Sequence, residues 1–345
     1  MSASLTTTPA AAGFAMPAEW EPHAGCLMQW PTRRDLWGDR FDDACQDYAV
    51  VARAIAAFEP VVMVCNPGAT QHVRDLCGSG VRPVEIAIND SWARDSGPAF
   101  VRDAGGTIAA VSFRFNAWGG RWHPHDDDDR LATAFAARLG VEVFEAPFVL
   151  EGGSYLVDGE GTVITTEQCL LDPNRNPTWS RSDIEQGLRD YLGATTVIWL
   201  PFGHSLDVGP AGTDGHVDGV AQYVAPGHVM LESPTDPSSA DTERARANLA
   251  ALGATPDTRG RTLDVACVDP GAEAGVSYAN HYLANGAVVV PVDGSADEGA
   301  ALAALAALHP GREVVGVPGE TLAFGGGGPH CITQQIPRGV DLDRL

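Results

Sequence analysis

Amphipathic helical stretches alternate with short β-rich runs along the whole chain, and this alternation limits the fold more than any other feature. Helices are predicted over Asp42 to Phe58, Asp126 to Leu139, Arg181 to Leu192, Asp241 to Leu252 and Asp297 to Leu308. Each has apolar residues at helical spacing and an acid or polar residue near its start. Between them lie runs with strand composition: Val61 to Cys65, Ile108 to Phe113, Thr162 to Thr166, Thr196 to Leu200, Val288 to Val290 and Val314 to Val317. Gly, Pro and Asn punctuate the joins. No linker rich in Pro or Ser divides the chain. A closed ring of about five strand–helix units is the simplest reading, and an open α/β sheet is the alternative. In a ring, motifs far apart in sequence meet near the axis. Residues 16–345 are read as one catalytic domain and residues 1–15, small and polar, as a flexible arm.

Composition removes whole classes of function. The net charge is −23, so the surface repels nucleic acid and anionic membrane and weakly attracts cations. No apolar run approaches the ~20 residues that span a bilayer. The first residues lack a basic start and a sustained apolar core, so they make a poor signal peptide. A cytoplasmic protein is expected, with its seven cysteines reduced and unpaired. There is no CxxC for structural zinc. All 22 basic residues are arginine. Without lysine, neither a Schiff base nor a Walker-type phosphate site can be built. A homo-oligomer stays open on these grounds.

The residues equipped for chemistry lie in four segments. Cys331 follows Gly325-Gly326-Gly327-Gly328-Pro329-His330, a run that permits backbone geometry and close approach that side chains would block. It reads as a nucleophile on a tight loop or as a buried free thiol. His216 and Asp218 lie two apart in GHVDGVAQYV. Read as a strand, that segment points both side chains to one face. They form an acid/base imidazole beside a cation-binding carboxylate, or a solvated pair. Glu151 ends the apolar run from Ala146, where an acid needs a partner such as His216. Asp95, in NDSWARDSGP, can accept paired N–H bonds from a guanidinium or brace a turn. Trp92 beside it offers an apolar or cation–π wall. One thiol, one imidazole and three carboxylates suit a flat cation that is to be attacked, which makes a guanidinium the first substrate to test.

Two other segments carry less. Trp122-His123-Pro124-His125 with Asp126 to Asp129 looks like a metal site, but acids are expected at a helix start. His204 lies on a Gly/Pro-rich loop that reads as a possible lid.

Together these segments resemble agmatine deiminase, of the guanidine-modifying (pentein) superfamily. The resemblance runs from Met16 to Pro337 through NDSWARDSGP, FRFNAWGG, LEGGSYLVDGEGT, CLLDPNRNP, TDGHVD, YANHYLANGAVVVP and GGGGPHCITQQ. It implies a fivefold pseudo-symmetric α/β propeller. It also implies Cys331 as nucleophile, His216 as general acid/base oriented by Glu151, and Asp95 and Asp218 gripping the guanidinium nitrogens. No cofactor and no metal are implied. The chain departs from the family at Asp214, where Asn is usual, and at Gly328 and Pro329. An added acid at Asp214 could change the pH profile or the preferred cation. The expected reaction is hydrolysis of agmatine to N-carbamoylputrescine and ammonia. Arginine, methylarginine or peptidyl arginine is the alternative substrate, with Arg94 or Arg175 facing a carboxylate. Amidino transfer to an amine is the alternative reaction, and guanidine binding without catalysis the non-enzymatic reading.

Overall fold

The computed structural model describes residues 7–209 and 211–345. Five small sheets share one plan, an antiparallel strand pair joined through a helix to a third, parallel strand. In the third sheet, for example, Tyr155–Val157 pairs antiparallel with Thr162–Thr166. Helix Arg181–Leu192 then leads to the parallel strand Thr196–Leu200. That helix begins with a capping box between Ser180 and Asp183, which satisfies backbone N–H groups at its open end. The second, fourth and fifth sheets follow the same plan with helices Asp126–Leu139, Ala240–Ala254 and Glu298–Leu308. In the first sheet the helix is Phe41–Ala56. Its antiparallel strand is Thr333–Pro337 from the far end of the chain, with Gln334 opposite Leu27 on His23–Gln29.

Burial shows that the five units form a ring. Among the described residues there are five buried apolar clusters, each lying between two neighbouring sheets. Val62 and Val64 of the first sheet pack with Phe100 and Ala110 of the second and with Phe135 of helix Asp126–Leu139. Val61 and Met63 point the other way and pack with Tyr282 and Val289 of the fifth sheet. The remaining clusters join second to third, third to fourth and fourth to fifth. Alternate residues of one strand thus enter different clusters, which is why these strands are apolar on both faces. Each fully buried Val, Leu or Ile contributes roughly 1.5–3 kcal/mol. The fold is a fivefold pseudo-symmetric α/β propeller, as the family resemblance implied, and it closes the ring of about five units read from the alternation of elements.

The expected arm is partly folded. Residues 1–6 of it lie outside the described residues, but Ala10–Ala12 forms a helical turn and Phe14–Ala15 pairs with Arg102 and Asp103. Phe14 is the reason: its ring meets Phe144 edge-on at 5.7 Å and covers the cluster between the second and third sheets.

Candidate active site

The ring brings Cys331, His216, Asp95, Asp218 and Glu151 into one buried group. Helix Glu320–Gly325 ends in the glycine run, and the run is close-packed. A methyl group on Gly327 would lie 2.6 Å from the Trp92 ring and 2.9 Å from Cys331 Sγ. On Gly328 it would lie 2.8 Å from Asn280 Oδ1. The departure at Gly328 therefore leaves the space that Asn280 fills.

Asn280 fixes the thiol. Its Nδ2 donates to Cys331 Sγ at 3.1 Å, and its Oδ1 accepts the Cys331 backbone N–H at 3.2 Å. Asp218 Oδ2 lies 3.5 Å from the same sulfur. Burial, and then the carboxylates of Asp218 and Asp95, push the Cys331 thiol well above its ordinary pKa.

His216 does not begin a strand. A helical turn, Val217–Gly219, follows it, and strand Ala221–Ala225 starts later. The bend arises because Gly215 takes φ +94° and Asp207 grips the backbone N–H of both Gly215 and His216, at 2.9 and 3.0 Å. His216 and Asp218 still face one cavity. His216 Nδ1 is 3.8 Å from Asp95 Oδ1, and Nε2 is 3.5 Å from Glu151 Oε2. Burial disfavours the charged ring, but Asp95, Cys169 and Glu151 outweigh it and hold the imidazole pKa well above its ordinary value.

The carboxylates are held from behind. Asp95 accepts Trp118 Nε1–H and Gly153 N–H, each at 2.9 Å. Asp218 accepts His330 Nδ1–H at 2.8 Å, and His330 Nε2 meets Glu19 at 3.0 Å. Burial raises the Asp218 pKa, but His330 reverses this and keeps it low. Glu151 Oε1 accepts Arg175 Nε–H at 2.8 Å. Despite burial, Arg175 and then His216 hold Glu151 at about 2. Trp92 stacks on Trp37 and lines a narrow recess with Asp95 and Cys331.

Gly153 sits where these groups converge. A methyl group there would lie 2.5 Å from His216 Nδ1 and 2.8 Å from Asp218 Oδ2. Gly153→Ala is therefore expected to lower kcat by about 10²-fold, the effect of ~1 Å misplacement of reacting groups. Steady-state kinetics beside circular dichroism checks this, with fold retained and activity lost.

Several expectations change. Arg175 is fully buried between Glu151 and Asp214, with Nη1 2.7 Å from Asp214 Oδ2. Arg94 is buried against Glu19 and Gln335, at 3.0 and 2.8 Å. Neither is free to meet a substrate carboxylate. Asp214 is no unpaired acid, because Arg121 binds its other oxygen. Residues His123 and His125 belong to no group of potential metal ligands among the described residues. Asp127 and Asp128 at that helix start instead accept N–H groups of Asn89 and Asp90. The His204 loop borders the main cavity through His204, Leu206 and Val208.

Asn280, His330, Glu19, Asp207 and Cys169 were not read as site residues in the sequence. Three signals were available: His330 stands beside Cys331, Asn280 lies in YANHYLANGAVVVP, and Cys169 opens CLLDPNRNP.

The cavity over Cys331 measures about 390 Å³ and is also lined by His216, Asp218 and Asn280. No arginine lines it, or the recess beside Trp92. Such an arrangement can take a planar cation at its floor and an uncharged or cationic tail above it.

Known proteins carry the same organisation. The profile for Porphyromonas-type peptidyl-arginine deiminase matches residues 15–337. An agmatine deiminase of Pseudomonas aeruginosa is 41% identical, over 96% of this chain and 98% of its own. A solved agmatine deiminase of Enterococcus faecalis superposes with a TM-score of 0.93 at 36% identity, covering 99% of this chain and all of the other. The agmatine deiminase of C. jejuni, at 22% identity and a TM-score of 0.79, shares the fold. With likeness of this extent in both sequence and fold, the chain belongs to the agmatine deiminase family, within the wider group described as Porphyromonas-type peptidyl-arginine deiminases.

Proposed function

We propose that this protein hydrolyses agmatine to N-carbamoylputrescine and ammonia, and that residues 16–345 act as one catalytic domain. The observation that carries the reading is that Cys331, His216 and Asp218 line one cavity, with Asp95 in the adjoining recess that Cys331 shares and Glu151 buried behind His216. Asp95 and Asp218 grip the guanidinium nitrogens and hold the plane for attack. The bound cation offsets the anionic surroundings of Cys331, and the thiol loses its proton to solvent. Thiolate Sγ then bonds to the guanidinium carbon. The C–N bond to one terminal nitrogen breaks as protonated His216 gives that nitrogen its proton, and ammonia departs. Cys331 now carries an S-alkylthiouronium. Neutral His216 takes a proton from water, whose oxygen bonds to the same carbon. The C–S bond breaks as the remaining hydroxyl proton leaves to solvent, giving the neutral ureido product, the thiolate and protonated His216. Glu151, behind the ring, is a positioning residue. Asn280 supplies an N–H to the thiolate. Seven cysteines without a disulfide fit a reducing compartment, which supports a cytoplasmic setting. No helix among the described residues is long and apolar enough to cross a membrane.

Agmatine is favoured over arginine by the pairing of Arg94 and Arg175 and the lack of arginine in the cavity wall. An α-carboxylate entering there would lose water without gaining a counter-charge. Ammonia release from agmatine, free arginine and an arginine peptide is the test. We expect kcat/KM for agmatine to exceed that for arginine by at least ~100-fold, since an unmatched buried charge costs several kcal/mol. Equal rates would reject the substrate assignment and leave the chemistry standing.

A further inference from the structure

The groups around His216 can also accept a metal cation. Glu151, Cys169 and His216 are all buried, and one potential ligand atom from each lies within 4.8 Å of the other two. Cys169 comes from the helical turn Glu167–Leu170 beyond strand Thr162–Thr166. Its sulfur makes a weak contact, as donor to the Thr213 carbonyl at 3.7 Å, and lies near enough to act on the His216 ring. The second observation is independent of that spacing. Both ring nitrogens of His216 and Oε2 of Glu151 are shut off from solvent without a hydrogen-bond partner. Arg175 holds the other oxygen of Glu151, and this turns Oε2 toward His216 Nε2, 3.5 Å away. Thiolate, imidazole and carboxylate are the ligands zinc takes, at about 2.0–2.3 Å. Three ligands at such lengths stand about 3.3–3.8 Å apart in a tetrahedron. The three groups therefore need to close by no more than about 1–1.5 Å, leaving a fourth position for water.

We propose that Glu151, Cys169 and His216 form an inhibitory site for a thiophilic divalent cation, zinc foremost. The cation enters from the main cavity, which His216 lines. A sulfur–metal bond replaces the S–H bond of Cys169, the proton leaves to solvent, and no electron changes hands. The metal occupies the His216 lone pair, so the ring can neither deliver a proton to departing ammonia nor accept one from water. Loss of turnover rests on the proton-handling role of His216 proposed above; metal binding does not.

Cobalt(II) is the probe, because a cobalt–thiolate bond gives a near-ultraviolet charge-transfer band. The full chain is titrated as wild type, Cys331→Ser and Cys169→Ser, with Cys169→Ala as a second variant should serine disturb the buried turn. The band is expected in wild type and Cys331→Ser, and to be bleached by zinc. It should be absent in both Cys169 variants. Zinc should inhibit ammonia release reversibly, with chelator restoring it. Inhibition should weaken at least ~10-fold in Cys169→Ser, the loss expected on disrupting a metal site, measured against that variant's own metal-free activity. A band lost in Cys331→Ser and kept in Cys169→Ser would overturn the proposal, as would no band at all. The expected bands without inhibition would uphold the metal site and overturn the role given to His216.

Discussion

Cys331→Ala is expected to lower ammonia release from agmatine by at least ~10⁴-fold, the scale seen when a nucleophile is removed from a covalent mechanism. The remaining carboxylates can still bind a guanidinium but cannot open a bond to its carbon. The fold should survive, because the substitution removes one sulfur and the Asn280 contact from a site whose glycines, Trp92 and Asp218 remain. A net hydrogen bond of this kind is worth about 1 kcal/mol, far less than the usual stability of a domain. Cys331→Ser should be nearly as inactive, since a hydroxyl gains little from the same surroundings. The pH dependence follows from charge. Burial and the anions Asp218 and Asp95 raise the thiol pKa in the free protein, so the thiol form dominates at neutral pH. Alkylation of Cys331 by neutral iodoacetamide should therefore be slow near pH 7 and accelerate as pH rises. A cationic haloacetamidine should react faster at the same pH, because it brings the positive charge that the sulfur lacks. Peptide mapping of the alkylated residue measures both.

His216→Gln should lower kcat by about 10²–10⁴-fold, the usual contribution of a positioned general acid/base. The ring must be protonated when ammonia departs. Asp95, Cys169 and Glu151 hold that proton in place against burial. Activity should then fall as pH rises through the raised His216 pKa, where the acid is lost. The opposite limb belongs to Cys331, whose thiolate grows as pH rises. Wild-type kcat/KM is expected to be bell-shaped, and in His216→Gln the alkaline fall should disappear while the rise remains. A variant that keeps both limbs would contradict the assignment. Rate and pH profile together separate proton transfer from damage to packing, which would lower activity at every pH alike.

Much of this molecule was legible in local sequence because its units are local. All five expected helices start within one residue of the observed start, and five of the six quoted strand runs match to within one residue at each end. The remaining run, Val288 to Val290, lies inside the observed strand Ala287–Val292. Each unit hides an apolar stripe or face, and periodicity reports that directly. Ring closure was not legible strand by strand. Nothing near Thr333–Pro337 says that its partner is His23–Gln29. The same limit applies at the site. Cys331, His216, Glu151 and Asp95 stand beside glycine or an apolar run that marks them in sequence. Glu19 meets His330 across 311 positions, and Asn280 reaches Cys331 from a turn 51 positions away. Such contacts come from the ring as a whole. His216 was read as a strand residue because GHVDGVAQYV alternates well, but Gly215 and the grip of Asp207 bend the chain there. Arg175 looked available to a substrate carboxylate only because its partners, Glu151 and Asp214, lie 24 and 39 positions away.

Acid quenching of the wild-type protein during agmatine turnover, followed by mass mapping of its peptides, tests the central claim most directly. The account predicts a transient adduct on the peptide containing Cys331, with the mass of agmatine less one ammonia, which disappears as substrate is exhausted. Continued ammonia release with Cys331 unmodified throughout, or the adduct on any other residue, would contradict it.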